Sequence, residues 1–434
     1  MEKTGIARKL FQGDLSVWII FMLLCCFSII EVFSATSTLA YRQANIWSPL
    51  ARHTSFLLFG FLLTVSLTHA NHKYFSLGIL LLPFSVILLI ITFIWGLNQN
   101  DAIRRLELFG TPFQPSELGK LACIIFVSFL LSKREKFSNE KTCTYIIIGV
   151  GSVCLLILPA NLSTAFILGL VCFLMMFIGQ IPLKKLGRLL FNVSLTGLVF
   201  ILLLLVIPQE TTRTYMPRAI TWQNRFSDRY NSVIDNFKKS EKNSAGNTAL
   251  QTTSDDYQIV HAKIAIARGG IIGKGPGQSM QRDFLPQAYD DFIYAIIIEE
   301  LGVVGGVFVL MLYLMLTWRV GIIAWRCKKL FPKYLVLGCG LLILVQALVN
   351  MAVAVNLIPV TGQPLPLISR GGTSIVITCI YIGMILSVSR DNKKEEEGES
   401  ENLIDGPDKA KTPSVYEEIE DIEEDEFENT ETNE

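Results

Sequence analysis

Apolar residues gather into ten runs, near 15–35, 54–70, 75–95, 116–132, 142–158, 163–180, 186–207, 292–318, 334–356 and 372–389, separated by short polar stretches. Each is long enough to cross a hydrocarbon layer of about 30 Å as a helix. The pattern predicts an all-α polytopic membrane protein of about ten transmembrane helices. The fifth and sixth runs are almost contiguous and read as a tight helical hairpin. The first is too long for a signal-peptide core and carries Glu31, so it reads as an uncleaved anchor. One connection is much longer than the rest: 208–291 predicts a long extracytoplasmic loop between helices 7 and 8. Its middle, 236–256, is rich in Ser, Asn, Lys and Thr. Its second half, HAKIAIARGGIIGKGPGQSMQRDFLPQAYDDF, is apolar enough to pack back onto the helices.

Charge adds an orientation. The chain carries 38 Lys+Arg and 38 Asp+Glu, yet 391–434 holds 19 acidic residues against four lysines, leaving an excess of 15 positive charges in 1–390. With both termini inside, the short inner segments hold 19 Lys/Arg and the short outer loops five: Arg42, Arg52, Arg104, Arg105 and Arg370. The positive-inside rule therefore places both termini in the cytoplasm. Residues 391–434 have too few apolar side chains to fold alone and read as a disordered acidic cytoplasmic tail. Zero net charge argues against nucleic acid as a partner. Nine cysteines without a CxxC or Cys/His cluster argue against a zinc site or a disulfide framework.

Ionisable residues at membrane depth are the first functional candidates, and they form three clusters. The first is Arg104-Arg105, followed by Gln114-Pro115-Ser116-Glu117 and Lys120. Pro115 suits a first helical turn, and Glu117 and Lys120 are i,i+3 neighbours. A capped helix start with an internal ion pair explains the same residues. The second is Asp290-Asp291, with Glu299 and Glu300 following about 12–14 Å deeper in the same span. Capping accounts for one aspartate; the deeper pair needs a cavity or a cationic partner. The third is LIPVTGQPLPLISRGG, 357–372, where three prolines and three glycines deny regular structure. Such backbone at membrane depth must be buried in protein or line a cavity. A structural re-entrant loop remains an alternative. GGIIGKGPG, 269–277, is not a Walker phosphate loop, because Lys274 is followed by Gly.

FQPSELGKLA (113–122), GGIIGKGPG with LPQAYDDFIYAIIIEELG (285–302) and LIPVTGQPLPLISRGGTS (357–374) together resemble the SEDS family of RodA, FtsW and SpoVE proteins. The resemblance covers roughly 10–390. It implies a ten-helix membrane domain, here 1–390, that acts as a peptidoglycan glycosyltransferase. Such a protein polymerises lipid II into β-1,4 glycan on the outer face of the cytoplasmic membrane. The family's essential aspartate falls on Asp291, its arginine on Arg104 and its lysine on Lys120. Two departures stand out: Asn161 occupies a position where an acid is common, and Arg370 replaces a tyrosine in Ser369-Arg370-Gly371-Gly372.

On this reading Asp291 is the general base. Arg104 and Lys120 stabilise the leaving pyrophosphate, each contact worth about 10²–10³ in rate. Gln114, Ser116, Glu117, Asp290, Glu300, Pro359, Ser369 and Arg370 complete the substrate-binding set, although Arg370 pairs equally well with Asp290. A divalent cation, Mg or Mn, with Asp291 as candidate ligand, is the implied cofactor; no organic cofactor is. The implied partners are lipid II and the growing strand, membrane lipid, a class B penicillin-binding protein supplying transpeptidase activity, and other divisome proteins. The charged tail favours the division branch and a septal location over the elongation branch. A lipid II flippase and a recruiting scaffold are the competing readings.

Overall fold

The computed structural model describes residues 11–42, 48–99, 102–108, 111–134, 136–206, 254–285 and 291–404. Helices α1 (Leu15–Arg42) and α2 (Ser48–His69) are followed by a 3₁₀ turn (His72–Leu80) that runs directly into α3 (Leu81–Trp95). A small antiparallel sheet follows, β1 (Leu97–Gln99), β2 (Ala102–Leu108) and β3 (Thr111–Phe113), with β2 in the centre. Then come α4 (Pro115–Ser132), α5 (Asn139–Ile157), α6 (Leu162–Ile178), α7 (Leu183–Val206), α8 (Ser254–Gly269), α9 (Ile293–Arg326), α10 (Leu330–Ala354) and α11 (Gly372–Ile404).

Each of the ten apolar runs falls on one of these helices. Among the described residues eight helices are long and apolar enough to cross a membrane; α6, at 17 residues, and α7 make up the ten. α4 and α10 pack together in the middle of the bundle, with few side chains reaching its surface. α3 and α7 instead turn Phe84, Ile87, Phe93, Phe191, Val193 and Leu198 outward, as lipid-facing helices do. The second half of the long connection folds back as expected: α8 packs on α9, with Ala262 and Ala265 buried. The polar middle of that connection lies outside the described residues, apart from its last three.

The all-α polytopic expectation holds, and the structure adds a small sheet at 97–113, where RLEL (105–108) alternates polar and apolar residues as a strand does. α11 continues past Asp391, the expected start of the tail, to Ile404. Lys and Glu favour helix, and the extension is tied down by Lys329–Glu395 at 2.7 Å and by Lys393 donating to the Gly13 carbonyl at 2.8 Å. Residues 405–434 lie outside the described residues.

Candidate functional site

The irregular segment between α10 and α11 begins with a defined helix stop. Asn356 adopts a left-handed conformation, φ 59°. Its N–H and that of Leu357 bond back to the carbonyls of Val353 and Ala352, at 2.9 and 2.8 Å. Beyond it the backbone has no ladder of its own, so its carbonyls need other donors. Side chains from three helices supply them. Asn350 Nδ2 donates to Gln363 at 2.8 Å and Gln346 Nε2 to Pro364 at 3.2 Å, both from α10. Tyr313 of α9 donates to Pro366, and Ser28 of α1 to Leu367 at 2.7 Å. Ser28 also meets His53 Nε2 of α2 at 2.8 Å. This is how a Pro/Gly-rich segment is tolerated among apolar helices. Leu367 sits at φ 67°, a conformation costly for a branched side chain and held here by the bonds on either side.

Gln346 and Asn350 lie one turn apart on α10, so they share a face. Each joins the loop to a charged partner on another element. Gln346 Oε1 accepts from Lys120 Nζ at 3.1 Å, and Lys120 also pairs with Glu117 at 2.8 Å. Asn350 Nδ2 makes its second bond to the Asp291 carbonyl at 3.0 Å. Gln363 itself donates to Thr164 Oγ1 at 2.7 Å. Thr164 N donates to Asn161 Oδ1, the N-cap of α6, at 3.2 Å. Asp291, partly buried two residues before α9 begins, thus stands at one end of a hydrogen-bonded chain through α10, the loop and α6.

α9 is broken nine residues below its start. Gly302 adopts φ 72°, ψ −177°, leaving neighbouring backbone groups without helical partners. The GGIIGKG segment supplies them. Lys274 N and Gly275 N donate to the carbonyls of Glu299 and Glu300 at 3.1 and 2.8 Å, while Val303 N and Val304 N donate to those of Gly270 and Ile271. A Cβ on Gly302 would stand 2.1 Å from the Ile271 oxygen, and one on Gly273 2.3 Å from the Glu300 oxygen. The two acids at the break then fold the next turn of chain around themselves. Glu299, fully buried, accepts from Lys274 Nζ at 3.2 Å, Met280 N at 3.3 Å, Gln281 N at 3.2 Å and the Ser279 hydroxyl. Glu300 accepts from Gly277 N at 2.9 Å, Ser279 N at 3.3 Å and the Ser34 hydroxyl.

The chain as a whole matches known proteins. The model of the cell cycle proteins FtsW, RodA and SpoVE matches residues 14–394. The chain belongs to the FtsW/RodA/SpoVE family. A probable peptidoglycan glycosyltransferase FtsW of Geobacter sulfurreducens is 29% identical over 391 residues, covering 88% of this chain and 96% of the relative. The corresponding Bacillus subtilis protein is 29% identical over 416 residues, covering 90% and 95%. A chain of a solved peptidoglycan synthase complex superposes with a TM-score of 0.63 at 22% identity, covering 88% of this chain and 98% of that one, which shows a common fold.

Within this family member, the site residues expected from the sequence separate into groups. Asp291, Ser369 and Arg370 lie together with the loop, and Ser369 Oγ accepts from Leu365 N at 2.7 Å. Arg104 is in β2, on a sheet that packs against α3 and α4; its side chain and the whole of Asp290 lie outside the described residues. Gln114 precedes α4 and donates to Ser116 Oγ at 3.0 Å. Pro359 is exposed on the loop. Lys120 is 1% exposed with its ammonium held by Glu117 and Gln346, so it ties α4 to α10. Glu300 accepts backbone N–H groups at the α9 break and so anchors the 277–279 turn. Among the described residues no group of three or more His, Cys, Asp or Glu side chains is arranged to hold a metal ion.

The sequence reading passed over the uncharged polar residues: Ser28, Tyr313, Gln346, Asn350 and Gln363. A signal for two of them was available, since amides spaced i,i+4 in an otherwise apolar span are as unusual as charges there.

Proposed function

We propose that the chain polymerises lipid II, the undecaprenyl-pyrophosphoryl disaccharide-peptide, into β-1,4 glycan at the extracytoplasmic face of the membrane. The observation that carries this reading is Asp291: a partly buried carboxylate at a helix start, its main chain bonded to the helix that holds the irregular loop. A sugar hydroxyl is a weak nucleophile, so a positioned carboxylate takes its proton as the bond forms. Asp291 accepts the proton of the GlcNAc 4-hydroxyl, whose oxygen attacks the anomeric carbon of MurNAc. The bond to the pyrophosphate breaks, and lipid pyrophosphate leaves with the electron pair. A single displacement inverts the α-linked donor to a β-linkage. Arg104 and Arg370 are the cations assigned to the departing phosphates. Lys120 and Glu117 support the reaction by holding α4 to α10 and, through Gln346, to the loop. No step is assigned to a metal ion.

The distribution of Lys and Arg supports termini in the cytoplasm, with the sheet, loop and Asp291 outside. Resemblance to the division branch, together with the acidic tail, supports work at the septum alongside a class B penicillin-binding protein and other divisome proteins. The test is reconstitution of the full chain with its cognate transpeptidase in liposomes containing labelled lipid II. Glycan polymer is the expected product. Movement of labelled lipid II between leaflets without polymer would replace this reading with a transporter.

A further inference from the structure

We propose that Asn350 is a positioning residue for Asp291, fixing the base relative to the 357–371 loop; this rests on Asp291 being the base. Asn350 is 1% exposed on the last turns of α10, and its Nδ2 donates to two main chains at once, Asp291 at 3.0 Å and Gln363 at 2.8 Å. Both partners are carbonyl oxygens, so only the amide nitrogen can serve them. That requirement sets the side-chain orientation and uses both of its protons. Asp291 needs such a tether, because α9 begins only at Ile293. The loop end of the bridge is itself fixed, since Gln363 bonds onward to Thr164 and the adjacent Pro364 carbonyl is held by Gln346. Asn350 therefore couples the main chain carrying the base to the segment that closes the site. Its Oδ1, buried and without a hydrogen-bond partner among the described residues, is a neutral acceptor next to that coupling.

Gln346 is the natural comparison. It uses the same face of α10 and holds the next loop carbonyl, but its other partner is Lys120 rather than Asp291. Loss of Gln346 should lower stability; loss of Asn350 should act on turnover. Displacing a reacting group by about 1 Å costs on the order of 10²-fold in rate.

The experiment measures kcat, KM for lipid II and the pH profile of the full chain with its transpeptidase partner, normalised to monodisperse folded protein. Asn350→Asp keeps the size and the acceptor atoms but, when ionised, cannot donate to carbonyls. Asn350→Ser keeps one donor and serves if the aspartate variant does not fold. The expected result is a fall in kcat of about 100-fold for Asn350→Asp and a smaller fall for Asn350→Ser. KM should stay within about threefold and the acid limb of the profile should move. Asp291→Asn is run in parallel. If it is inactive while either Asn350 variant keeps kcat within about twofold and an unmoved acid limb, the positioning role is wrong and the base assignment stands. If Asp291→Asn polymerises normally, the base assignment falls, and the positioning role with it.

Discussion

The two ends of the bundle are built from the same residue types and differ in what their charged groups hold. At the end where α11 extends to Ile404, buried or half-buried contacts such as His72–Asp391 at 2.6 Å and Arg319–Asp14 sit beside pairs that meet at the surface. Lys185–Glu140 at 3.2 Å, Lys329–Glu395 at 2.7 Å and Arg326–Glu396 at 4.0 Å all involve exposed or half-exposed side chains. At the end carrying Asp291, charges are buried: Glu117 with Lys120, Glu299 with Lys274, and Glu300 among backbone N–H groups. Exposed pairs contribute at most about 1 kcal/mol, whereas removing one partner of a buried pair strands a charge at a cost of about 3–5 kcal/mol. The surface pairs can therefore vary, while the buried ones are fixed. Substrate chemistry needs the second kind of construction, because reacting groups must be held before substrate arrives.

Substitutions should break this contrast in a definite order. The largest effect is expected at Gly302, where a Cβ meets the Ile271 oxygen at 2.1 Å: Gly302→Val should leave almost no folded, monodisperse protein in detergent extracts. Next is Lys120→Met, which strands Glu117 and should cost about 3–5 kcal/mol in thermal or denaturant unfolding. Adding Glu117→Gln should recover much of that loss; a double variant as unstable as Lys120→Met would show that the pair is not the cause. Glu300→Gln should cost about 1.5–3 kcal/mol, because its charge-assisted bonds to Gly277 N and Ser279 N become neutral contacts. It should also increase proteolysis within 270–282. Smallest is Lys329→Ala, expected to change stability by less than about 1 kcal/mol, and less still at high salt.

The ten helices were legible because each must be apolar over a membrane's thickness, a constraint written residue by residue. The Glu117–Lys120 pair was legible because i,i+3 spacing is local. The partners of Glu299 and Glu300 were not: Ser34 lies 266 positions away, and the others come from residues 18–25 positions away, joined through a helix break that hydropathy cannot register. GGIIGKGPG lacks the Walker Ser/Thr, and its use as a backbone patch appears only once Gly302 is seen out of helix. The Lys120–Gln346 contact was hidden for a related reason. Sequence shows a cation near the outer end of a span, whereas its commitment to Gln346, 226 positions away, is a tertiary fact. The sheet was hidden by its brevity, with β1 and β3 only three residues each.

The central claim is that the end carrying the irregular loop and the α9 break is the chemical end and that Asp291 is its base. The direct measurement is the rate of glycan polymerisation from lipid II by Asp291→Asn, per folded molecule and with the transpeptidase partner present. Loss of a general base predicts a rate lower by at least about 10²–10⁴-fold, with unfolding temperature and partner binding unchanged. A rate within a factor of about two of wild type would contradict the account.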